Sequence, residues 1–497
     1  MSAAAVRNPA PEVPSITAAA MTEAGRRRLV VNFVLLSAGE LIAKLLTFAA
    51  FAHLARTLQA ERYGMVEFTL AVMVFFTLPV DLGLGSYGTR EIARNPNNAA
   101  ALLREITSLR LLLAGCSLAA LLVFIALIHK SMELKLLLAF YGVSLLSGPI
   151  LLQWFFQAHD QMHWVAMGSI LRQLVFSVLV LASVRPEMPL VYLGVIECVS
   201  VAAVGIYCLA VVKSRMRFSL PVPMLRLGVL SRHIRECWPI GVTELAWAFM
   251  WYFATVLLGF LFQDESLGWF GASHRILMAL HTFVWLYFFN LFPSISRSVH
   301  EPPEYLSGLM SESLRVTAWV GILGAFGLTI LSREALTIIY GQDFAGAVPA
   351  FSVLMWMLPV AMLSGHYRYI LIAYNCQKRL LVCTSISAVA AVVLGVSLVP
   401  LFGATGAAWA LLLANVLNLG LVFESVRRRV VAIPFREQLT EAVGAMTVAL
   451  GVFFVFVWVN VWVAAALSVA TYTGALVLSH GRPAVTLYKL VVKRGQR

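Results

Sequence analysis

The sequence predicts an all-α polytopic membrane protein: about fourteen transmembrane helices, six and six related by an internal repeat, and two more at the C-terminus. Three observations predict it. First, 60% of the 497 residues are hydrophobic and only 12% are charged, with a mean hydropathy of +0.85. Soluble domains carry about 25% charged residues, so a soluble enzyme with a membrane anchor is excluded. Second, apolar stretches of transmembrane length recur along the whole chain. Third, two parts of the chain match without a gap.

The expected spans run in order. The first six are Val30–Leu54, Gly64–Leu84, Ile106–Ile128, Leu136–Phe156, Trp164–Val184 and Leu190–Val212. Then come Ile240–Phe262, Gly268–Phe292, Leu314–Leu331, Ala350–Ala373, Leu380–Val399 and Thr405–Val422. Ala442–Val459 and Trp462–Leu478 are the shorter last two. Each must be helical, because lipid offers the backbone no hydrogen-bond partner. The expected organisation is a disordered tail (1–25), an N-terminal lobe (26–212), a basic amphipathic linker on the cytoplasmic surface (213–237), a C-terminal lobe (238–424), spans 13 and 14 (425–480), and a basic tail (481–497). The first apolar stretch is no signal peptide: it is too long and contains Glu40 and Lys44.

A shift of 204 residues lays Ser37–Gly64 over Gly241–Gly268, with seven of 28 positions identical. The matches include Glu40 with Glu244 and Gly64 with Gly268. The shift equals six spans, an even number, so the two copies share one orientation: a parallel repeat about the membrane normal.

The net charge of +13 comes from basic residues scattered between apolar stretches, so they form no nucleic-acid face. They are topology signals. With both termini cytoplasmic, 25 of the 37 Lys and Arg fall inside. Six fall outside: Arg56, Arg62, Lys130, Lys135, Arg185 and Arg333. The external loops are short, which counts against a membrane glycosyltransferase or glycan polymerase. The six cysteines form no CxxC pair and read as packing residues, with neither a disulfide framework nor a metal site. There is no Walker A sequence and no HExxH. Energy for transport must then come from ion gradients, membrane potential or substrate flux.

Ionisable residues inside spans mark function or pairing. The acidic ones are Glu40, Glu67, Asp81, Glu197 and Glu244; the basic ones are Lys44, Arg110, Arg172, Arg275, Arg315 and Arg368. Glu40 and Lys44 lie four apart on one helix face. They are either a self-neutralising pair or a cavity pair whose lysine can turn to an anionic substrate. Arg275 and Arg368 have no acidic residue three or four positions away. Either they face an aqueous cavity, where guanidinium suits phosphate, or they pair with a distant carboxylate such as Glu197 or Asp81. Arg172 is a further candidate cavity charge. Glu40, Asp81 and Glu244 are the candidates for proton or sodium coupling; no other cofactor is expected. His274, His281 and His366 are either proton relays or hydrogen-bonded interior histidines. Trp154-Phe155-Phe156 and Trp247, Trp251 and Tyr252 are either sugar platforms or packing and interface aromatics.

Four stretches carry a family resemblance: Leu54-Ala-Arg-Thr-Leu-Gln-Ala-Glu-Arg-Tyr-Gly64, Asp81-Leu-Gly-Leu-Gly-Ser-Tyr-Gly88 with the basic segment to Arg94, Tyr340-Gly-Gln-Asp-Phe-Ala-Gly-Ala347, and Val399-Pro-Leu-Phe-Gly-Ala-Thr-Gly-Ala-Ala408. Trp154-Phe-Phe-Gln157 and Pro293-x-x-Ser-Arg297 fit as well. In order and placement they resemble the Wzx-type oligosaccharide flippases of the multidrug/oligosaccharidyl-lipid/polysaccharide (MOP) exporter superfamily. One departure is Gln59, where that family often has Gly. The resemblance implies two six-helix lobes around a central cavity open to one side at a time. It implies a bacterial inner-membrane transporter, not an enzyme, that moves an undecaprenyl-diphosphate-linked oligosaccharide to the outer leaflet, with polymerase or export machinery as company. The diphosphate needs cations in that cavity, and Lys44, Arg275 and Arg368 are the candidates. The alternatives are a peptidoglycan-precursor flippase or a drug exporter of the same superfamily. A drug exporter favours an acidic cavity.

Overall fold

The structure is a computed structural model that describes residues 23–219, 221, 227–262, 265–431, 433 and 436–480. The expected N-terminal tail lies outside the described residues except at 23–25, which are helical. The basic tail 481–497, and the linker at 220 and 222–226, lie outside them too.

Among the described residues every regular element is a helix. The first half is built from α1 (Glu23–Asp81), α2 (Leu84–Arg94), α3 (Ala99–Leu127), α4 (Met132–Val143), α5 (Gln153–Ala158), α6 (Met162–Ser183) and α7 (Val191–Ser214). The second half follows as α8 (Leu227–Leu261), α9 (Ser266–Arg297), α10 (Pro303–Ile330), α11 (Ser332–Tyr340), α12 (Val348–Met355), α13 (Met357–Ala373) and α14 (Gln377–Arg429). Last are α15 (Arg436–Phe456) and α16 (Val461–His480).

Among the described residues, twelve helical segments are long and apolar enough to cross a membrane, against the fourteen spans expected. The difference sits in α1 and α14, of 59 and 53 residues. Drawn straight, each would be at least about 80 Å long, more than twice a hydrocarbon core of about 30 Å. Neither is straight. α1 breaks at Gln59 (φ 61°, ψ 176°) and α14 at Gly403 (φ 53°, ψ −129°). Each break falls between two of the spans read from the sequence.

The four motif stretches coincide with turns of the chain. The three glycines with positive φ are Gly83, Gly341 and Gly403, one in each of the last three stretches, and Gln59 stands in the first. The motifs therefore encode backbone breaks. Gln59 adopts a conformation that is easy for glycine and costly for a residue with a side chain, at the position where the resembled family often has glycine.

Within the first half, α1 packs on α3, α4 and α6, and α7 on α4 and α6. Within the second, α14 packs on α8 and α13, and α13 on α9 and α10. The halves meet where α1 crosses α8 and α9. α15 and α16 pack on each other and on α10, where the Tyr472 hydroxyl donates to the Trp319 carbonyl at 3.0 Å.

Loops read as external gather at one end. Arg62 donates to Glu133 at 2.6 Å, to the Met188 carbonyl at 2.7 Å and to the Pro186 carbonyl. Arg56 binds the Ile338 and Ile339 carbonyls, and Lys130 the Phe260 carbonyl. At this end Gly64 packs against Gly268: a Cβ on Gly64 would lie 2.9 Å from the Gly268 nitrogen, and one on Gly268 would overlap the Ala60 carbonyl oxygen. The matched glycines of the repeat thus touch, as residues beside a pseudo-two-fold axis must.

Candidate functional site

A cavity of about 840 Å³ lies between the halves. It collects Glu40 and Lys44 from α1 with Glu244 from α8 and Arg368 from α13. Four charged residues from distant parts of the chain thus line one space, and each half supplies one acid and one base. Lys44, Glu244 and Arg368 are exposed to it; Glu40 is half-buried and accepts from the Ser169 hydroxyl at 3.0 Å. No ion pair joins Glu40 to Lys44, and among the described residues neither Lys44 nor Arg368 has a carboxylate partner. Two cations with free hydrogen-bond donors can grip a phosphate or diphosphate.

Other sequence candidates lie elsewhere. Arg275 is not among the cavity-lining residues. Its Nε and Nη2 donate to Glu67 Oε1 at 3.1 and 2.6 Å, the Tyr63 hydroxyl donates to the same oxygen at 2.6 Å, and its guanidinium lies 3.7 Å from the Phe51 ring centre. The distant-carboxylate alternative describes it, with Glu67 as the carboxylate rather than Glu197 or Asp81. Asp81 is bound by Arg110, and Arg172 by Glu197. These three buried or half-buried pairs account for six of the intramembrane charges. They carry the helix-to-helix cost of one another, since a charge in low dielectric persists where an opposite charge neutralises it.

The histidines divide. His366 is fully buried: Nε2 lies 2.7 Å from the Ser313 hydroxyl and Nδ1 2.8 Å from the Met362 carbonyl. His274 packs among Phe270, Trp251 and Tyr252. His281 lines the cavity, and its ring centre lies 5.0 Å from that of Trp251 in an edge-on arrangement. The aromatics divide too. Trp154, Phe155 and Phe156 are buried packing residues. Trp247 and Trp251 line the cavity, stacked at 5.7 Å, and the Trp251 Nε1 has no hydrogen-bond partner.

Sequence reasoning missed the amides. Gln153, Gln157, Asn415 and Asn418 all line the cavity. Their spacings of four and three within apolar stretches put each pair on one helix face, a signal available in the sequence. Thr89 and Gln157 flank basic or polar segments at the end opposite the external loops, so the cavity reaches toward that end. The other end is filled by Tyr63, Val66, Leu258, Phe270 and Phe344, all at most 1% exposed, and by the Glu67–Arg275 pair.

A helical bundle in two crossing halves, with a charged cavity between them, has the architecture of a membrane transporter. The model for "Polysaccharide biosynthesis protein" matches residues 29–299, and that for "Lipid II flippase MurJ" residues 174–478. The chain belongs to the polysaccharide biosynthesis protein family. Its curated relatives include a protein of Escherichia coli (strain K12) named "Putative O-antigen transporter", 23% identical over 81% of this chain and 96% of that one. A relative of the same name from Shigella dysenteriae is 24% identical over 61% of this chain and 75% of its own. Among solved structures, the lipid II flippase MurJ in an inward closed conformation superposes with a TM-score of 0.72 at 13% identity, over 90% of this chain and 99% of that one. An inward-facing MATE family transporter of the MOP superfamily gives 0.64 at 13% identity, over 78% and 94%. These low identities establish the shared fold.

Proposed function

We propose that the protein is a flippase that carries an undecaprenyl-diphosphate-linked oligosaccharide from the inner to the outer leaflet of the bacterial cytoplasmic membrane. The observation that carries this reading is the pair Lys44 and Arg368: two cations without ion partners, one from each half, in a single cavity. The diphosphate bridges them and so couples the halves. The glycan occupies the polar and aromatic remainder of the cavity, and the lipid tail stays in the bilayer. The O-antigen relatives and the polysaccharide family match support this cargo over the peptidoglycan precursor, which also carries a diphosphate.

The mechanism is alternating access by lobes 26–212 and 238–424, with 213–237 joining them and 425–480 outside the repeat. With the end at Gly64 and Gly268 closed, substrate enters from the opposite end, which the positive-inside charge assigns to the cytoplasm. Rocking then opens the sealed end and releases the glycan where a polymerase or export machinery can take it. Of the three candidates for ion coupling, Glu40 and Glu244 line the cavity, whereas Asp81 is held by Arg110.

The test is reconstitution. Purified protein goes into vesicles loaded with lipid-diphosphate oligosaccharide in both leaflets, and an external glycosidase reads the accessible head groups. The proposal expects near-complete cleavage with protein and about half without. Half cleavage in both contradicts it. Cleavage of a peptidoglycan precursor alone favours the other cargo.

A further inference from the structure

The charge balance of the cavity constrains the glycan. Its ionisable lining among the described residues is Glu40, Lys44, Glu244, Arg368, His281 and Tyr369. A diphosphate diester carries two negative charges and takes up both cations through charge-assisted hydrogen bonds. What then faces the sugars is two carboxylates, His281, Tyr369, the amides of Gln153, Gln157 and Asn418, and Trp247 stacked on the largely buried Trp251. Amides both donate to and accept from hydroxyl and acetamido groups. Glu40 and Glu244 are acceptors. Beyond Lys44 and Arg368 the lining holds no lysine or arginine for a second anionic group. A sugar carboxylate or sulfate would enter beside two like charges in a space of about 840 Å³.

Resting on the flippase reading, we propose that the transported head group is an oligosaccharide free of acidic sugars, and that Glu40 and Glu244 exclude uronic-acid or sulfated glycans. The two glutamates are repeat-related and approach the cavity from opposite halves. They therefore approach the glycan from both halves. Like-charge juxtaposition discriminates between otherwise similar ligands.

The experiment uses a host without flippases of this class. It makes one of two lipid-diphosphate oligosaccharides, identical except for one hexose replaced by its uronic acid. A control flippase exports each, and surface glycan is counted. The wild-type chain is expected to export the neutral glycan and to export the acidic one about tenfold less. Glu244→Gln, at an exposed residue without partner, is expected to narrow that gap, and Glu40→Gln with Glu244→Gln to narrow it further, at equal membrane levels. Equal export of both glycans by the wild type, or preference for the acidic one, overturns the proposal and leaves the flippase reading standing. A gap unchanged in both variants overturns it as well. So does loss of both glycans alike, which would assign the carboxylates to coupling. Export of neither glycan by the wild type, with the control active, fells the flippase reading and this inference with it.

Discussion

The Glu67 carboxylate receives the Arg275 guanidinium at 2.6 Å, and by this contact the second span of the first half is tied to α9 of the second. Glu67 is 5% exposed and also takes the Tyr63 hydroxyl. Stripping one member leaves a buried charge without its partner. Arg275→Ala and Glu67→Gln are each expected to destabilise the protein by about 3–5 kcal/mol, read as denaturation in detergent. Removing both is expected to cost less than the sum of the two, since the residues are coupled. Additive costs would show that the pair is incidental.

Gly64 and Gly268 permit the closest approach of the halves. In Gly268→Ala the new methyl would occupy the space of the Ala60 carbonyl oxygen, and backbone cannot swing aside as a side chain can. Folded yield by fluorescence-detected size exclusion should fall severely. Gly308→Ala, where nothing lies within 4 Å, is the control and should leave yield unchanged.

Gln59 holds φ 61° and ψ 176°, a region in which a non-glycine residue costs about 1–3 kcal/mol. Gln59→Gly is expected to stabilise the protein by about 1 kcal/mol, the residue's backbone entropy offsetting part of the relief. A lower melting temperature would mean that the Gln59 side chain contributes more than its backbone costs.

Lys44 and Arg368 carry no ion partner, so their removal should leave stability within about 0.5 kcal/mol while transport collapses. Each alanine substitution is expected to lower export by about tenfold or more, as charged hydrogen bonds to substrate are worth about 1.5–3 kcal/mol. Arg368→Lys should rescue part of it, because it keeps the charge and loses the planar fork.

Much of this was legible in the sequence. Apolar length is enough to predict spans, because the bilayer thickness is fixed. The motif glycines were legible as motifs, and their meaning, helix breaks, follows from their positive φ. Glu40, Lys44, Glu244 and Arg368 stood out because charge in an apolar span needs a cause. What the sequence alone did not show is which arginine faces water. Arg275 and Arg368 look alike in their own helices, and the carboxylate that neutralises Arg275 is 208 residues away. The repeat held a clue: the register that pairs Gly64 with Gly268 puts Glu67 over Gly271, one turn from Arg275, and Gly271 does pack against Glu67. The cavity amides escaped notice because an uncharged amide inside a span can be satisfied by its own backbone, as Asn415 is by the Leu411 carbonyl.

The most direct measurement of the central claim is the leaflet distribution of undecaprenyl-diphosphate oligosaccharide in cells deleted for this protein and free of redundant flippases. These cells are complemented with the wild-type chain, with Lys44→Ala and Arg368→Ala together, or with Arg275→Lys. The account predicts build-up on the cytoplasmic side in the deletion, clearance by the wild type, and none by the double variant at equal membrane levels. Arg275→Lys, away from the cavity lining and keeping the charge opposite Glu67, should clear the pool. An unchanged pool in the deletion, or full clearance by the double variant, would contradict the account.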